Sequence, residues 1–350
     1  GKEMIDSIYD IIRDQTFIIA EAGVNHNGDI DIAKKLIDIA VEAGANAVKF
    51  QTFSVERLVT KSSPKADYQN KTTDRSKSQY DMLKKLELSL KDHKILKNYC
   101  NKKDILFIST PYDFESVDML EQLEVELYKI ASGDLTNISL LKYVAEKQKP
   151  MLVSTGMANL SEVEEAVNVI KQAGNEEFLL LHCVSDYPAE FKYVNLRAMN
   201  TIKTAFNVEI GYSDHTPGIE VPIAAVAMGA KIIEKHFTLD KTMAGPDHRA
   251  SLNPEELSEM VKSIRNVEKS FGNGIKKCTK NEINTKGISR KSIVLKDNKK
   301  KGEALAPKDL DIKRPATGIK PKYFDKVIGM KVKSNYQKDH ILHWKDIENE

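Results

Sequence analysis

The 350-residue chain is short of several features that mark familiar protein classes. Cysteine is scarce: Cys100, Cys183 and Cys278 are all there is, and none stands in a C-x-x-C spacing. An odd, sparse set excludes a disulfide framework and suits a reducing cytoplasm. A surplus of one charge is also missing. With 53 basic and 51 acidic residues the formal net charge is +2, which gives no electrostatic reason to expect nucleic acid or an anionic membrane as partner. Long apolar runs are lacking, and "VPIAAVAMGA" (221–230) is far too short to span a bilayer. The opening "GKEMIDSIYDIIRDQ" carries acids inside its apolar pattern, unlike a signal peptide. Its Ile5, Ile8, Ile11 and Ile12 predict a short amphipathic helix in an N-terminal extension, residues 1–15. No G-x-G-x-x-G turn follows an early strand, which argues against an open doubly wound sheet; the nearest stretch, "NHNGD" (25–29), has one glycine.

What is present is a rhythm. Short β-branched runs alternate with longer helical patterns: "TFIIAEAG" (16–23), "NAVKFQT" (46–52), "DILFIST" (104–110), "ELYKIAS" (126–132), "PMLVST" (150–155), "FLLLHC" (178–183), "VEIGYS" (208–213) and "AKIIEKHF" (230–237). Between them lie stretches such as "DIAKKLIDIAVEAG" (31–44) and "LSEVEEAVNVIKQAG" (160–174), with apolar residues at helical spacing. In the second, Ser161 is the expected N-cap and Gly174 the terminator. Eight such units in about 270 residues predict a (β/α)8 barrel over residues 16–275. A polar linker is expected at 276–287. A small, mostly β module follows at 288–350, with short runs punctuated by Gly, Pro, Asp and Lys.

A barrel of this kind holds its active site at the C-terminal ends of the strands. There the runs deliver Glu21; Lys49 and Gln51; Ser109 and Thr110; Lys129 and Ser132; Ser154 and Thr155; His182, Ser185 and Tyr187; Ser213 and His215; and His236. Each alone has a bland reading as a cap, a snorkelling stem or a core hydrogen bond. As one ring they are harder to explain by packing, because lysine in a barrel mouth is costly unless it meets an anion. Lys49, Lys129, Thr110, Ser132, Ser154 and Ser213 supply the convergent donors that phosphate plus carboxylate want. Glu21, His215, His236 and Asp247 form the other half. Two histidines from adjacent strand ends suit a divalent Lewis acid such as Mn²⁺ or Zn²⁺.

The segments "IIAEAGVNHNGD", "AVKFQTF", "ISTPYD", "YKIASGD", "LVSTGMAN", "LLHCVSDYP", "GYSDHTPG", "EKHFTLDKTMAGPDH" and "KRPATG", in this order, resemble the sialic acid synthase family over residues 16–345. The resemblance implies a (β/α)8 barrel followed by an antifreeze-like SAF domain. It also implies a cytoplasmic enzyme that condenses phosphoenolpyruvate with the open-chain aldehyde of an N-acetylated amino sugar, releasing phosphate. Carried over by motif, His215 and His236 hold a divalent ion, Mn²⁺ with Mg²⁺ or Co²⁺ as alternatives. Lys49, Thr110, Lys129, Ser132, Ser154 and Ser213 hold phosphoenolpyruvate, and Glu21, Gln51, Asp134, Tyr187 and Asp247 face the sugar. Arg314 reaches into the site of a partner subunit in a domain-swapped homodimer. Glu21, His215, His236 and Asp247 are the catalytic group. Asp134 stands where glutamate is usual, and Ala316-Thr317 replaces the usual Gly-Asn or Ala-Asn.

The long stretch 62–88 after the second strand is expected to be a functional loop. It favours the N-acetylneuraminate and legionaminate branches over the pseudaminate branch. The first reading is N-acetylneuraminate formation from N-acetylmannosamine. The alternative is legionaminate formation from 2,4-diacetamido-2,4,6-trideoxymannose, which differs at carbons four and six. A barrel metallohydrolase is a distant rival, weakened because "GVNHNGD" offers His26 alone where barrel amidohydrolases carry an H-x-H pair. An ice-binding role for the tail is weaker still, since "KDNKKKGE" (296–303) is strongly charged.

Overall fold

The computed structural model describes residues 5–349 and divides into two compact units, Gly1–Phe271 and Gly272–Glu350. The first unit holds eight parallel strands: β1 (Phe17–Gly23), β2 (Ala47–Thr52), β3 (Leu106–Pro111), β4 (Tyr128–Ile130), β5 (Met151–Ser154), β6 (Phe178–Cys183), β7 (Ile210–Asp214) and β8 (Ile232–His236). The sheet order is β3-β2-β1-β8-β7-β6-β5-β4, so β1 and β8 pair and the sheet curls into a nearly closed barrel. The expected (β/α)8 architecture is what the chain adopts.

Period-two alternation gives every strand two destinations. Ile18, Ala20, Val48, Phe50, Phe107, Val153, Leu180 and Ile233 point outward into the main core beneath the helices. Phe17, Ile19, Ala47, Leu106, Ile108, Leu152, Leu179, Leu181 and Ile232 point inward and pack together as the barrel floor. The helix Ile8–Ile12 completes that floor with Ile8, Ile11 and Ile12, and its Ser7 cap is tied to Glu177 by a 2.8 Å hydrogen bond. The amphipathic reading of the extension therefore holds over the described residues; residues 1–4 lie outside them.

Gly211 shows how tight the interior is. A Cβ there would lie 2.3 Å from Leu181 Cδ2 and 2.9 Å from the Ile232 carbonyl oxygen. Gly211→Ala is expected to cost about 1–3 kcal/mol through overpacking, read by chemical denaturation. An unchanged unfolding midpoint would show that the floor has slack.

Three local readings are corrected. Asn159, not Ser161, caps the helix Leu160–Gln172, accepting from Glu162 N at 3.0 Å, while Ser161 Oγ donates to Asn159 Oδ1. Asn159, two residues earlier, forms a reciprocal capping box with Glu162, whose carboxylate accepts from Asn159 N at 3.1 Å. The stretch 62–88 is not a bare loop: it carries the short helices Asp67–Thr72 and Gln79–Lys84. The expected linker is half helical, because Glu282–Ser289 forms a helix whose entry is fixed by Glu282 accepting from Thr279 N at 2.8 Å.

The second unit contains two antiparallel pairs, β9 (Ser292–Leu295) with β10 (Leu310–Lys313), and β11 (Lys331–Val332) with β12 (Ile347–Glu348). They close over their own core of Ile293, Leu295, Leu305, Leu310, Ile319, Val327, Val332, Leu342 and Ile347. No helix among the described residues is long and apolar enough to cross a membrane.

Candidate active site

Above the apolar floor the inward positions turn polar. Glu21 follows Ile19, Lys49 follows Ala47, Thr110 follows Ile108 and Lys129 follows Leu127, each two residues further along its strand. Ser154 follows Leu152, Ser213 follows Gly211, and Glu234 with His236 follow Ile232. All line one cavity of about 220 Å³. Ser132, from the turn after β4, joins them; its Oγ accepts from Gly156 N at 3.0 Å. A side chain at 156 would meet Ser185 Oγ at 2.2 Å and Ser132 Oγ at 2.7 Å, so glycine is required where these hydroxyls converge.

The charges interlock. Lys49 is paired with Glu21, donates to Thr110 Oγ1 at 2.9 Å, and lies 3.9 Å from Glu234. Lys129 lies 3.5 Å from Glu234, and Ser213 Oγ donates to Glu234 Oε1 at 3.2 Å. Two lysines thus face two glutamates, all buried, and the capacity to bind an anion comes from directed donors rather than from net charge. Burial raises the Glu21 carboxyl to about 7, against the opposing pull of Lys49. Burial also disfavours charge on Glu234, but Lys129 and Lys49 outweigh it and hold its carboxyl below the ordinary value. Lys129 is lowered by burial, only partly offset by Glu234.

His215 and His236 stand at the ends of β7 and β8 with ring centroids 5.5 Å apart. Tyr187 packs on both, at 5.1 and 4.7 Å, and its hydroxyl lies 3.2 Å from Ser251 Oγ. His215 Nδ1 donates to the Val184 carbonyl at 2.8 Å, which fixes the ring and leaves Nε2 for another partner. His236 Nδ1 is buried with no hydrogen-bond partner among the described residues. Two imidazoles this close do not both carry positive charge. Burial and then His215 push His236 well below its ordinary value, while His215, despite burial, is raised to about 9, chiefly by the Cys183 sulfur. An oriented imidazole beside an orphaned one fits a divalent ion with positions left for substrate or water. No cluster of three or more His, Cys, Asp or Glu suited to a metal occurs among the described residues.

The structure therefore brings together Glu21, Lys49, Gln51, Thr110, Lys129, Ser132, Ser154, Tyr187, Ser213, His215, His236 and Asp247. Asp247 is buried, and burial raises its carboxyl to about 6, with His215 opposing. Asp134 is not in the lining: its carboxylate turns back to accept from Asn137 Nδ2 at 3.1 Å. Arg314 belongs to the second unit, where it is exposed and donates from Nε to the Ser289 carbonyl at 3.1 Å. Three members of the expected ring face elsewhere, as alternation dictates. Ser109 meets Thr52 Oγ1 at 2.6 Å, His182 meets the Val194 carbonyl at 2.7 Å, and Thr155 donates to the Leu181 carbonyl at 2.9 Å. His26 accepts from Gly28 N at 2.8 Å through Nδ1 and serves the turn after β1.

Sequence reasoning missed Glu234, Cys183, Tyr68 and Tyr112 in the lining. Glu234 was within reach: it stands two residues before His236, so one face of β8 must carry both. Tyr68 was not, because the insertion that brings it has no strand periodicity to aim it.

A parallel barrel whose mouth holds lysines, hydroxyls, a buried glutamate and an imidazole pair, in a chain with a C-terminal SAF domain, defines the class of phosphoenolpyruvate-dependent nonulosonic acid synthases. The NeuB family model matches residues 36–276 and the SAF domain model residues 290–348. The chain belongs to the NeuB family. It is similar to the N,N'-diacetyllegionaminic acid synthase of Campylobacter jejuni, 50% identical over 94% of this chain and 99% of that one. The enzyme of the same name from Legionella pneumophila is 47% identical over 95% and 94%. Among solved structures, the N-acetylneuraminic acid synthetase of Leptospira borgpetersenii is 39% identical, covers 78% of this chain and 90% of that one, and superposes with a TM-score of 0.69. The comparisons thus favour the legionaminate alternative over the first reading of N-acetylneuraminate formation.

Proposed function

We propose that the protein condenses phosphoenolpyruvate with 2,4-diacetamido-2,4,6-trideoxymannose and water to give N,N'-diacetyllegionaminate and phosphate. The observation that carries this reading is identity of 50% and 47%, over 94% and 95% of the chain, to two legionaminic acid synthases; a cavity lined by Lys49, Lys129 and several hydroxyls supports it.

Lys49, Lys129 and the hydroxyls of Thr110, Ser132, Ser154 and Ser213 bind the phosphate and carboxylate of the donor. Gln51, Tyr187 and Asp247 orient the sugar so that its aldehyde carbon meets the enol carbon. A divalent ion such as Mn²⁺, held by His215 and His236, would supply Lewis-acid polarisation of the aldehyde oxygen. As the new carbon–carbon bond forms, positive charge develops at the former enol carbon, and the Glu21 carboxylate stabilises it. Water adds to that carbon, and Glu21 is placed to take its proton, having a buried Oε1 without a hydrogen-bond partner among the described residues. The carbon–oxygen bond to phosphate then breaks as the remaining hydroxyl proton passes to the departing phosphate. The proton taken by Glu21 goes to the alkoxide on the former aldehyde oxygen, and the 2-keto acid is left while the lysines and hydroxyls hold the departing charge. Arg314 is assigned to the N-acetyl end of the sugar in the partner subunit of a domain-swapped homodimer.

The test is phosphate release by metal-stripped protein given back Mn²⁺, Mg²⁺, Co²⁺ or Zn²⁺, with both sugars side by side. Release is expected only with added metal, phosphoenolpyruvate and sugar together, and faster with the diacetamido sugar. A preference for N-acetylmannosamine would refute the substrate assignment.

A further inference from the structure

The catalytic cavity, at about 220 Å³, is smaller than the roughly 300–1,000 Å³ usual for small-molecule sites, yet it must serve two substrates at once. A second cavity of about 600 Å³ adjoins it, and the two share a wall, the rings of Tyr68 and Tyr187. Together they fall well inside the usual range. The rings meet edge-to-face at 5.7 Å. Tyr187 is fixed by Ser251 and the two histidines. Tyr68 comes from the insertion after β2, and its helix is fastened to the segment after β8 by Thr72 Oγ1 donating to the Pro246 carbonyl at 3.2 Å. Among the described residues the Tyr68 hydroxyl has only a long contact, 3.5 Å from Gln69 Nε2.

The reacting aldehyde must sit beside the imidazole pair, so the rest of the sugar extends away from the lysine cradle and past these rings. Beyond them the outer cavity offers apolar surface from Pro188 and Pro217, and donors from Lys71, Lys241 and Arg249. The donors are set among the carboxylates of Asp67, Asp186 and Glu190, which can accept from an amide N–H. A methyl group wants the apolar surface, and an amide carbonyl wants the donors. We propose that the outer cavity is the subsite for the far end of the acceptor, its second acetamido group and deoxy terminus, and that Tyr68 is the specificity-determining residue at its threshold. The inference rests on the diacetamido reading of the acceptor. A hexosamine with hydroxyls at carbons four and six would leave the apolar surface uncovered and gain less from it.

The test compares kcat/KM for the two sugars in wild type, Tyr68→Ala and Ala250→Trp, the second filling the outer cavity. In each variant the ratio favouring the diacetamido sugar is expected to fall at least about tenfold, carried by its KM, with KM for phosphoenolpyruvate within about twofold. Thermal unfolding checks that both variants fold. A ratio unchanged in both folded variants overturns the subsite. So does an equal loss for both sugars and phosphoenolpyruvate, which would mark a structural role. A wild-type preference for N-acetylmannosamine overturns the acceptor assignment, and the subsite with it.

Discussion

His236→Ala and His215→Ala are each expected to lower phosphate release by about a thousandfold or more while leaving thermal unfolding within a few degrees. The size follows from what each ring does. A bound divalent ion contributes several kcal/mol of charge stabilisation, and in the proposed site either imidazole would be half of its protein ligand set. The fold survives because neither ring is part of the apolar floor, which lies a full layer below. His236 Nδ1 has no hydrogen-bond partner to lose among the described residues, and His215 gives up its bond to the Val184 carbonyl and a 4.0 Å contact with Cys183 Sγ. Calorimetric titration with Mn²⁺ provides a readout independent of turnover, and both variants should lose the binding seen in wild type. Full, chelator-resistant activity in either variant would remove the metal assignment.

Lys235→Met is expected to destabilise the barrel by about 3–5 kcal/mol, lowering its melting temperature by roughly 6–20 °C. Lys235 and Asp214 alternate with the cavity residues and point the other way, behind the sheet. There Lys235 Nζ lies 2.6 Å from Asp214 Oδ2 and donates to the Thr216 carbonyl at 2.5 Å, with side-chain exposures of 2% for Lys235 and 0% for Asp214. Asp214 also accepts from Tyr212 Oη at 2.7 Å and from Thr216 Oγ1 at 2.9 Å. Removing the lysine leaves a buried carboxylate without its counter-charge, which the two hydroxyl donors do not replace. Adding Asp214→Asn removes that charge yet keeps an acceptor for Tyr212 and Thr216, so the double variant should recover more than half of the loss. Equilibrium denaturation of the two single variants and the double measures the coupling. Strict additivity would show that the pair is not a unit. The same pair ties β7 to β8, the strands that carry the two histidines, so Mn²⁺ affinity should fall with stability.

Much of the site could be read in the residue order. Alternation with period two places Ile19 and Glu21, Ala47 and Lys49, Ile232 and His236 on one face each, so the polar layer above an apolar floor follows from strand positions alone. The same rule, applied strictly, would have kept Ser109 and His182 out of the ring and brought Glu234 in. Asp134 is different. It follows β4 in a tight turn, and its hydrogen bond with Asn137, not strand geometry, decides where the carboxylate points.

The sequence by itself determined the barrel, its floor and which strand ends carry lysine, hydroxyl and imidazole, because those properties are local: strand periodicity needs no knowledge of distant neighbours. Tertiary structure alone decided the ion-pair pattern among Glu21, Lys49, Lys129 and Glu234, the pairing of Lys235 with Asp214, and the entry of Tyr68 into the cavity wall. Each of these depends on which side chains from separate strands and insertions come within a few ångströms of one another, and in a closed barrel that is set by register and curvature across the whole sheet.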